Sequence, residues 1–284
     1  MTKIEALERP RQEQRQDYHA VTEVPGTLLN QEQLGRFAHR YLYGAALGRD
    51  RRVLEVACGA GSGAGVVAGA AAHYVGLDYT AALLHTLRAH AGARLPVVQG
   101  DAERLPVAAD AFDLVLCFEA IYYLAAYKSF LAECRRVLTD AGRLLIVQSN
   151  PDWAEFIPGS LSNYYPRSVE LVESLTAAGF TTVQLLGALP TTRATPRQAW
   201  VNSTRRRVLR GARHLLGSQL IRLEHPPLAA TLKRLLYGKL VPLPTRLTHA
   251  DAQQAAAGFA LTPLDVRRVD SIHRVHYFYA ELPG

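Results

Sequence analysis

Residues 53–65 read VLEVACGAGSGAG, a short apolar run that ends in a turn rich in glycine and alanine. Gly59 and Gly61 can take backbone conformations closed to other residues, and they let a ligand approach the main chain. A helix that starts just beyond such a turn offers it unpaired N–H groups. With Ala64 the same residues fit the dinucleotide pattern G-x-G-x-x-A, and Asp78 lies 19 residues after Gly59, near the position of a ribose-binding acid. The turn alone is therefore ambiguous. Three further features stand in order along the chain: Glu55 inside E-V-A-C-G-A-G, Asp101 at the head of D-A-E-R-L-P, and FDLVLCFEAIYYL over 112–124. Cys58, Cys117 and Cys134 are far apart, odd in number and set among apolar residues. That pattern suggests buried free thiols, with neither a disulfide frame nor a metal site.

The elements that must carry these residues alternate. Apolar runs predict strands at 52–57, 73–77, 95–99, 112–118, 143–148, 181–186 and 273–281. Helical spacing predicts helices at 81–91, 127–138 and 167–178, and a small-residue helix follows the glycine turn. An earlier helix is predicted over Asn30–Gly48, with Asn30 as N-cap, Gln33 as its capping-box partner and Gly48 as the stop. Alternating buried strands and helices imply a doubly wound, mainly parallel α/β sheet. Ligands in such sheets bind at the carboxyl ends of the strands, where strand order reverses.

The order of these motifs from Arg51 to Leu186 resembles the class I S-adenosylmethionine-dependent methyltransferases, in their common small-molecule branch (methyltransferase type 11-like). The resemblance implies a seven-stranded sheet with an N-terminal helical flap and a helical insertion before the last strand. The expected segments are 1–50 for the flap and first helix, 51–188 for the cofactor-binding core, 189–270 for the insertion and 271–284 for the last strand. It also implies roles. Gly59 and Gly61 would shape the turn under the methionine part of S-adenosylmethionine, and Ala57 and Glu55 would help hold its ammonium group. Asp78 would accept both ribose hydroxyls and Tyr79 would flank the adenine. Asp101 and the Ala102 N–H would read the adenine edge, and the Phe118 backbone would border the methionine. Where related O-methyltransferases carry a histidine this chain has Tyr122 and Tyr123. A tyrosine, with a pKa near ~10, is a poor base, but it can orient a hydroxyl or wall the sulfonium. Glu119 is a further candidate base or helix-start residue. Tyr18, His19, Asn150, Tyr164 and His249 are candidates to reach the acceptor from outside the core.

Hydrophobic residues make up 49% of the 284 and charged residues 20%, which excludes wholesale disorder. No apolar run reaches the ~18–20 residues of a membrane span. The N-terminus is charged and lacks an apolar signal core, so a cytoplasmic location is expected. The net charge of +7 is uneven: Pro190–Thr248 holds twelve basic residues against Glu224, a local +11 that leaves −4 elsewhere. Two amphipathic stretches in that segment predict a lid or acceptor platform. Its charge would suit an anionic small-molecule acceptor, a carrier protein, or peripheral contact with an anionic membrane through 203–240. It makes no case for general nucleic-acid binding. The expected activity is methyl transfer to an oxygen, before a nitrogen or carbon, of a secondary metabolite or a glycan- or lipid-linked intermediate. The alternatives are a non-methylating enzyme of the same fold, an NAD-dependent dehydrogenase, and a non-catalytic binding module.

Overall fold

Alternate residues of a strand face opposite sides of its sheet, and strand β2 (Arg52–Val56) divides in this way. Leu54 and Val56 join one buried layer and Val53 the other. Strand β5 (Phe112–Phe118) repeats the division, with Val115 and Cys117 on the first face and Leu114 and Leu116 on the second. A sheet buried on both faces must be covered on both, and helices from the intervening segments do so. The computed structural model describes residues 18–91, 95–159, 161–191 and 239–284.

The main sheet has the order β4-β3-β2-β5-β6-β10-β7-β9. Strands β3 (His73–Asp78), β4 (Val97–Gln99) and β6 (Leu138–Ser149) complete its parallel part. Strand β10 (His273–Glu281) runs antiparallel between β6 and β7 (Thr182–Pro190). Strand order reverses beside β2, which pairs with β3 on one side and β5 on the other. The glycine turn leaves β2 at that point. Helices α4 (Tyr127–Val137) and α5 (Ser168–Ala177) supply Phe130, Leu131, Cys134, Leu171 and Leu175 to one face. Helices α1 (Gln31–Leu47) and α2 (Ala64–Ala68) cover the other, and α3 (Ala81–Ala91) follows β3. The Asn30–Gln33 capping box and the Gly48 cap of α1 form as the sequence predicts. Cys58, Cys117 and Cys134 are buried and free.

The sheet has eight strands where seven were expected. The extra one, β9 (Leu261–Leu264), pairs antiparallel with β7 at the edge and comes from the segment expected to be a helical insertion. Its Pro263 lacks an N–H, which a strand tolerates at an edge, and that proline hides the strand from a periodicity reading. The same segment supplies β8 (Leu240–Pro242), which pairs with β1 (Leu28–Asn30), and helix α6 (His249–Ala255). Strand β6 begins five residues earlier than predicted, where Leu138 pairs with Phe112 before a register shift. The flap residues before Tyr18, both amphipathic stretches and nearly all of 203–240 lie outside the described residues. No helix among the described residues is long and apolar enough to cross a membrane.

Candidate active site

The chain leaves β2 through three left-handed residues, Ala57 (φ 60°), Gly59 (φ 57°) and Gly61 (φ 73°). A Cβ at Gly61 would lie 2.5 Å from Leu87 and one at Gly59 2.9 Å from Thr22, so the turn needs glycine for space as well as for φ. Asp78, at the end of neighbouring β3, fixes this turn. Its Oδ2 accepts from the Gly59 N–H at 2.8 Å and its Oδ1 from the Thr80 N–H at 2.8 Å. Burial raises the Asp78 carboxyl above the usual carboxylate range, against the pull of the Thr80, Gly59 and Tyr79 N–H groups.

The turn forms one wall of a cavity of about 540 Å³ at the carboxyl ends of the strands. Ala57, Gly59, Gly61 and Asp78 line it, as do Tyr79, Asp101, Ala102 and Phe118. Asp101 shapes its own loop, since its Oδ1 accepts from the Glu103 N–H at 2.8 Å. Tyr79 is 44% exposed, open enough for a planar group to lie against it. Tyr18, Tyr122 and Tyr123 also line it, and Tyr18 lies near enough to Tyr79 and Asp101 for their charges to act on it. The Tyr18 ring sits 5.4 Å from that of Tyr123, so the segment before α1 closes on the cavity.

Five predicted residues do not line the cavity. Glu55 shares the strand parity of Val53 and therefore points to the α1–α2 face. There it is buried and accepts from the Tyr41 hydroxyl at 2.9 Å and the Tyr74 hydroxyl at 2.5 Å. Glu55 thus sits one layer behind Tyr41, which does line the cavity. Burial pushes its carboxyl up to about 7, although both phenols donate to it. Asn150 is buried and structural: it donates to the carbonyls of Asp270 and His273 and accepts from the Asp152 N–H. Tyr164 is exposed and donates to Glu170. His249 opens α6 on the surface, and His19 is exposed beside Tyr18.

Tyr122 and Tyr123 are poor bases here. Burial raises both hydroxyls, and the charge of Glu119 adds to the effect on Tyr122. Tyr122 stacks on Tyr165 with ring centres 4.1 Å apart, which fixes it as a wall.

Several polar groups in the cavity were missed by sequence reasoning. Arg40 projects from α1 although it is only 4% exposed. Burial opposes its charge, but an ion pair with Glu23 more than restores it, and its guanidinium lies 4.7 Å from the Phe37 ring centre. Its Nε and Nη1 are buried without a partner. The sequence did hold a signal: Arg40 follows Phe37 by three and precedes Gly44 by four, on the buried stripe of the helix. Arg36, Ser149 and Asn163 also line the cavity, and Glu119, named from sequence only as a candidate base, joins them.

The family model for a methyltransferase domain matches residues 54–146, which run from β2 into β6. The fold around that stretch is that of the class I S-adenosylmethionine-dependent methyltransferases. It is 37% identical over 161 residues to a Mycolicibacterium smegmatis protein designated a probable S-adenosylmethionine-dependent methyltransferase, covering 54% of this chain and 58% of that one. It is 35% identical over 130 residues to a fatty-acid O-methyltransferase of the same organism, covering 44% of this chain and 47% of that one. The chain spans just over half the length of the first curated relatives it matches. The methyltransferase fold extends beyond the matched stretch. A crystal structure of an S-adenosylmethionine-dependent methyltransferase from Archaeoglobus fulgidus superposes with a TM-score of 0.53 at 13% identity, over 88% of this chain and 94% of that one.

Proposed function

We propose that this methyltransferase domain transfers a methyl group from S-adenosylmethionine to an oxygen of a small, largely apolar acceptor such as a lipid, a secondary metabolite or a glycan- or lipid-linked intermediate. The observation that carries this reading is a single cavity at the strand-order switch with two unlike walls. The wall at β2 and β3 is a backbone cradle with a buried carboxylate, and the other wall is aromatic and holds charged side chains with individual buried atoms left without partners. The name of the fatty-acid O-methyltransferase relative supports an oxygen on an apolar acceptor.

The residues present fit this cofactor. Asp78 has the acceptor capacity for two ribose hydroxyls, and such charge-assisted bonds are strong. Tyr79, Asp101 and Ala102 form the adenine side. The turn at Ala57–Gly61 leaves room for the amino-acid part, and the unpartnered Nε and Nη1 of Arg40 match its carboxylate. Glu55 acts through Tyr41 and does not reach the ligand. When bound, the cofactor supplies an electrophilic methyl group on a sulfonium. The chain's own work is to align an acceptor oxygen with it and to exclude water. Tyr122 and Tyr123 form the wall that does the excluding, and Tyr18 bridges from Tyr123 toward Tyr79 and Asp101.

The test is calorimetric titration with S-adenosylhomocysteine, with NADH as control. The reading predicts binding of S-adenosylhomocysteine, a loss of ~100-fold or more in Asp78→Ala, and no response to NADH. Binding of NADH in its place would move the chain to the dinucleotide class.

A further inference from the structure

Two arginines and two glutamates line the cavity beside α1 and the exit of β5; Arg40 pairs with Glu23, which leaves Arg36 and Glu119, each with unmet hydrogen-bonding capacity. Glu119 follows β5 with φ of 52°. A glutamate in that region is strained and persists only where its surroundings over-determine it. They do so here. The Glu119 N–H donates to the Val147 carbonyl at 2.7 Å. Its Oε2 accepts from the Ser149 N–H at 3.1 Å, the Ser149 hydroxyl at 3.0 Å and the Tyr122 hydroxyl at 3.1 Å. Three donors thus clamp one carboxylate oxygen. The other, Oε1, is buried without a partner.

Arg36 lines the same cavity from α1, and its Nε is also buried without a partner. Both charges act on the Tyr122 and Tyr277 phenols, so they sit in one neighbourhood, yet no ion pair joins them. An unmet buried polar group costs ~1–3 kcal/mol. A ligand that satisfies both groups therefore has an advantage over one that satisfies either alone. A carboxylate would suit Arg36 and be repelled by Glu119. An ammonium would suit Glu119 and be repelled by Arg36. A neutral hydroxyl donates to Glu119 Oε1 and accepts from Arg36, and so meets both needs.

We infer that Glu119 and Arg36 together recognise a neutral hydroxyl on the acceptor, and that Glu119 takes its proton. This rests on the methyl-transfer reading above. As the hydroxyl oxygen bonds to the methyl carbon, the sulfur–carbon bond breaks and its electron pair stays on sulfur. The hydroxyl proton passes to Glu119 Oε1. Tyr122 and Tyr123 serve as walls, since burial holds their protons in place.

The test uses three probes of one chain length and different head groups: 1-octanol, octanoate and octylamine. Each is titrated by calorimetry into the full chain saturated with S-adenosylhomocysteine. The wild type is expected to bind octanol at least ~10-fold more tightly than either ionic probe. Glu119→Gln, which keeps the shape, should cut that lead to under ~3-fold and favour octanoate. Arg36→Met should instead raise octylamine relative to octanol. Both variants should bind S-adenosylhomocysteine within ~3-fold of the wild type, which also shows that they are folded. The inference is overturned if an ionic probe binds the wild type as well as octanol does, if no probe binds, or if Glu119→Gln leaves the order unchanged. Failure of the wild type to bind S-adenosylhomocysteine would instead remove the methyl-transfer reading, and this inference with it.

Discussion

The two walls of the cavity are built by different means. The wall proposed for the cofactor is local: β2, its turn and the end of β3 place Gly59, Gly61 and Asp78, and the Gly59 N–H ties the carboxylate to the turn while the Thr80 N–H holds it from its own segment. The acceptor wall is assembled from distant parts of the chain. Arg36 comes from α1, Glu119 from the exit of β5, Ser149 from the end of β6, and Asn163 from the stretch before α5. A wall made largely of main chain leaves few side chains, Asp78 first among them, through which substitution can alter it. A wall made of side chains on separate elements can change its acceptor by single substitutions while the cofactor wall stands. Under the proposed function, the molecule would separate a fixed task from an adjustable one within this cavity.

That separation can be broken experimentally, and the largest effect should come from Asp78. Asp78→Ala removes the ribose acceptor and releases the Gly59 and Thr80 N–H groups, so S-adenosylhomocysteine affinity should fall by ~100-fold or more.

The next effect is on stability. Burial raises the Glu55 carboxyl from 4.5 to about 7 in the folded chain. Between those values the folded state keeps a proton that the unfolded state has lost. The stabilisation is therefore full below 4.5 and is lost as pH rises through about 7. Glu55→Gln removes this dependence. Denaturant unfolding at pH 5 and pH 8 should show the wild type losing about 3 kcal/mol more than the variant across that interval. Equal losses would place the Glu55 proton elsewhere.

Arg40 sharpens the boundary between the walls. If its free Nε and Nη1 meet the amino-acid carboxylate, Arg40→Met should weaken S-adenosylhomocysteine ~10–100-fold. It should leave 5′-methylthioadenosine, which lacks that carboxylate, within ~3-fold of the wild type. Equal weakening of both ligands would make Arg40 structural. Tyr79→Ala should be the mildest change. With its ring 44% exposed, loss of a stacking face should weaken both ligands alike by ~3–10-fold.

The same contrast explains what could be read from the sequence. The cofactor wall was legible because its residues stand at fixed spacings on strand ends, and Asp78, Gly59 and Gly61 meet as their spacing predicts. Glu55 was expected to help hold the ammonium group, but its direction needed strand parity: counting from Val53 turns it toward Tyr41 and Tyr74, behind the cavity lining. The parallel core followed from alternation, whereas β9 did not, because its four residues include Pro263 and carry no period. Arg40 stands on the buried stripe of α1 and could have been read from its spacing to Phe37 and Gly44, whereas Arg36 looks like a surface residue until the cavity beside α1 is known. Asn150 and Tyr164 fell on the correct edge of the sheet, but local hydrogen bonds claim them. Position along a chain shows which edge a residue joins, and only packing shows whether its side chain remains free for a ligand.

The central claim is that one cavity has a cofactor wall and an acceptor wall that act separately. The most direct measurement is calorimetric titration of S-adenosylhomocysteine into the wild type, Asp78→Ala and Glu119→Gln in parallel. The account predicts tight binding by the wild type, a loss of ~100-fold or more in Asp78→Ala, and a change of no more than ~3-fold in Glu119→Gln. Equal losses in the two variants, or none in Asp78→Ala, would contradict it.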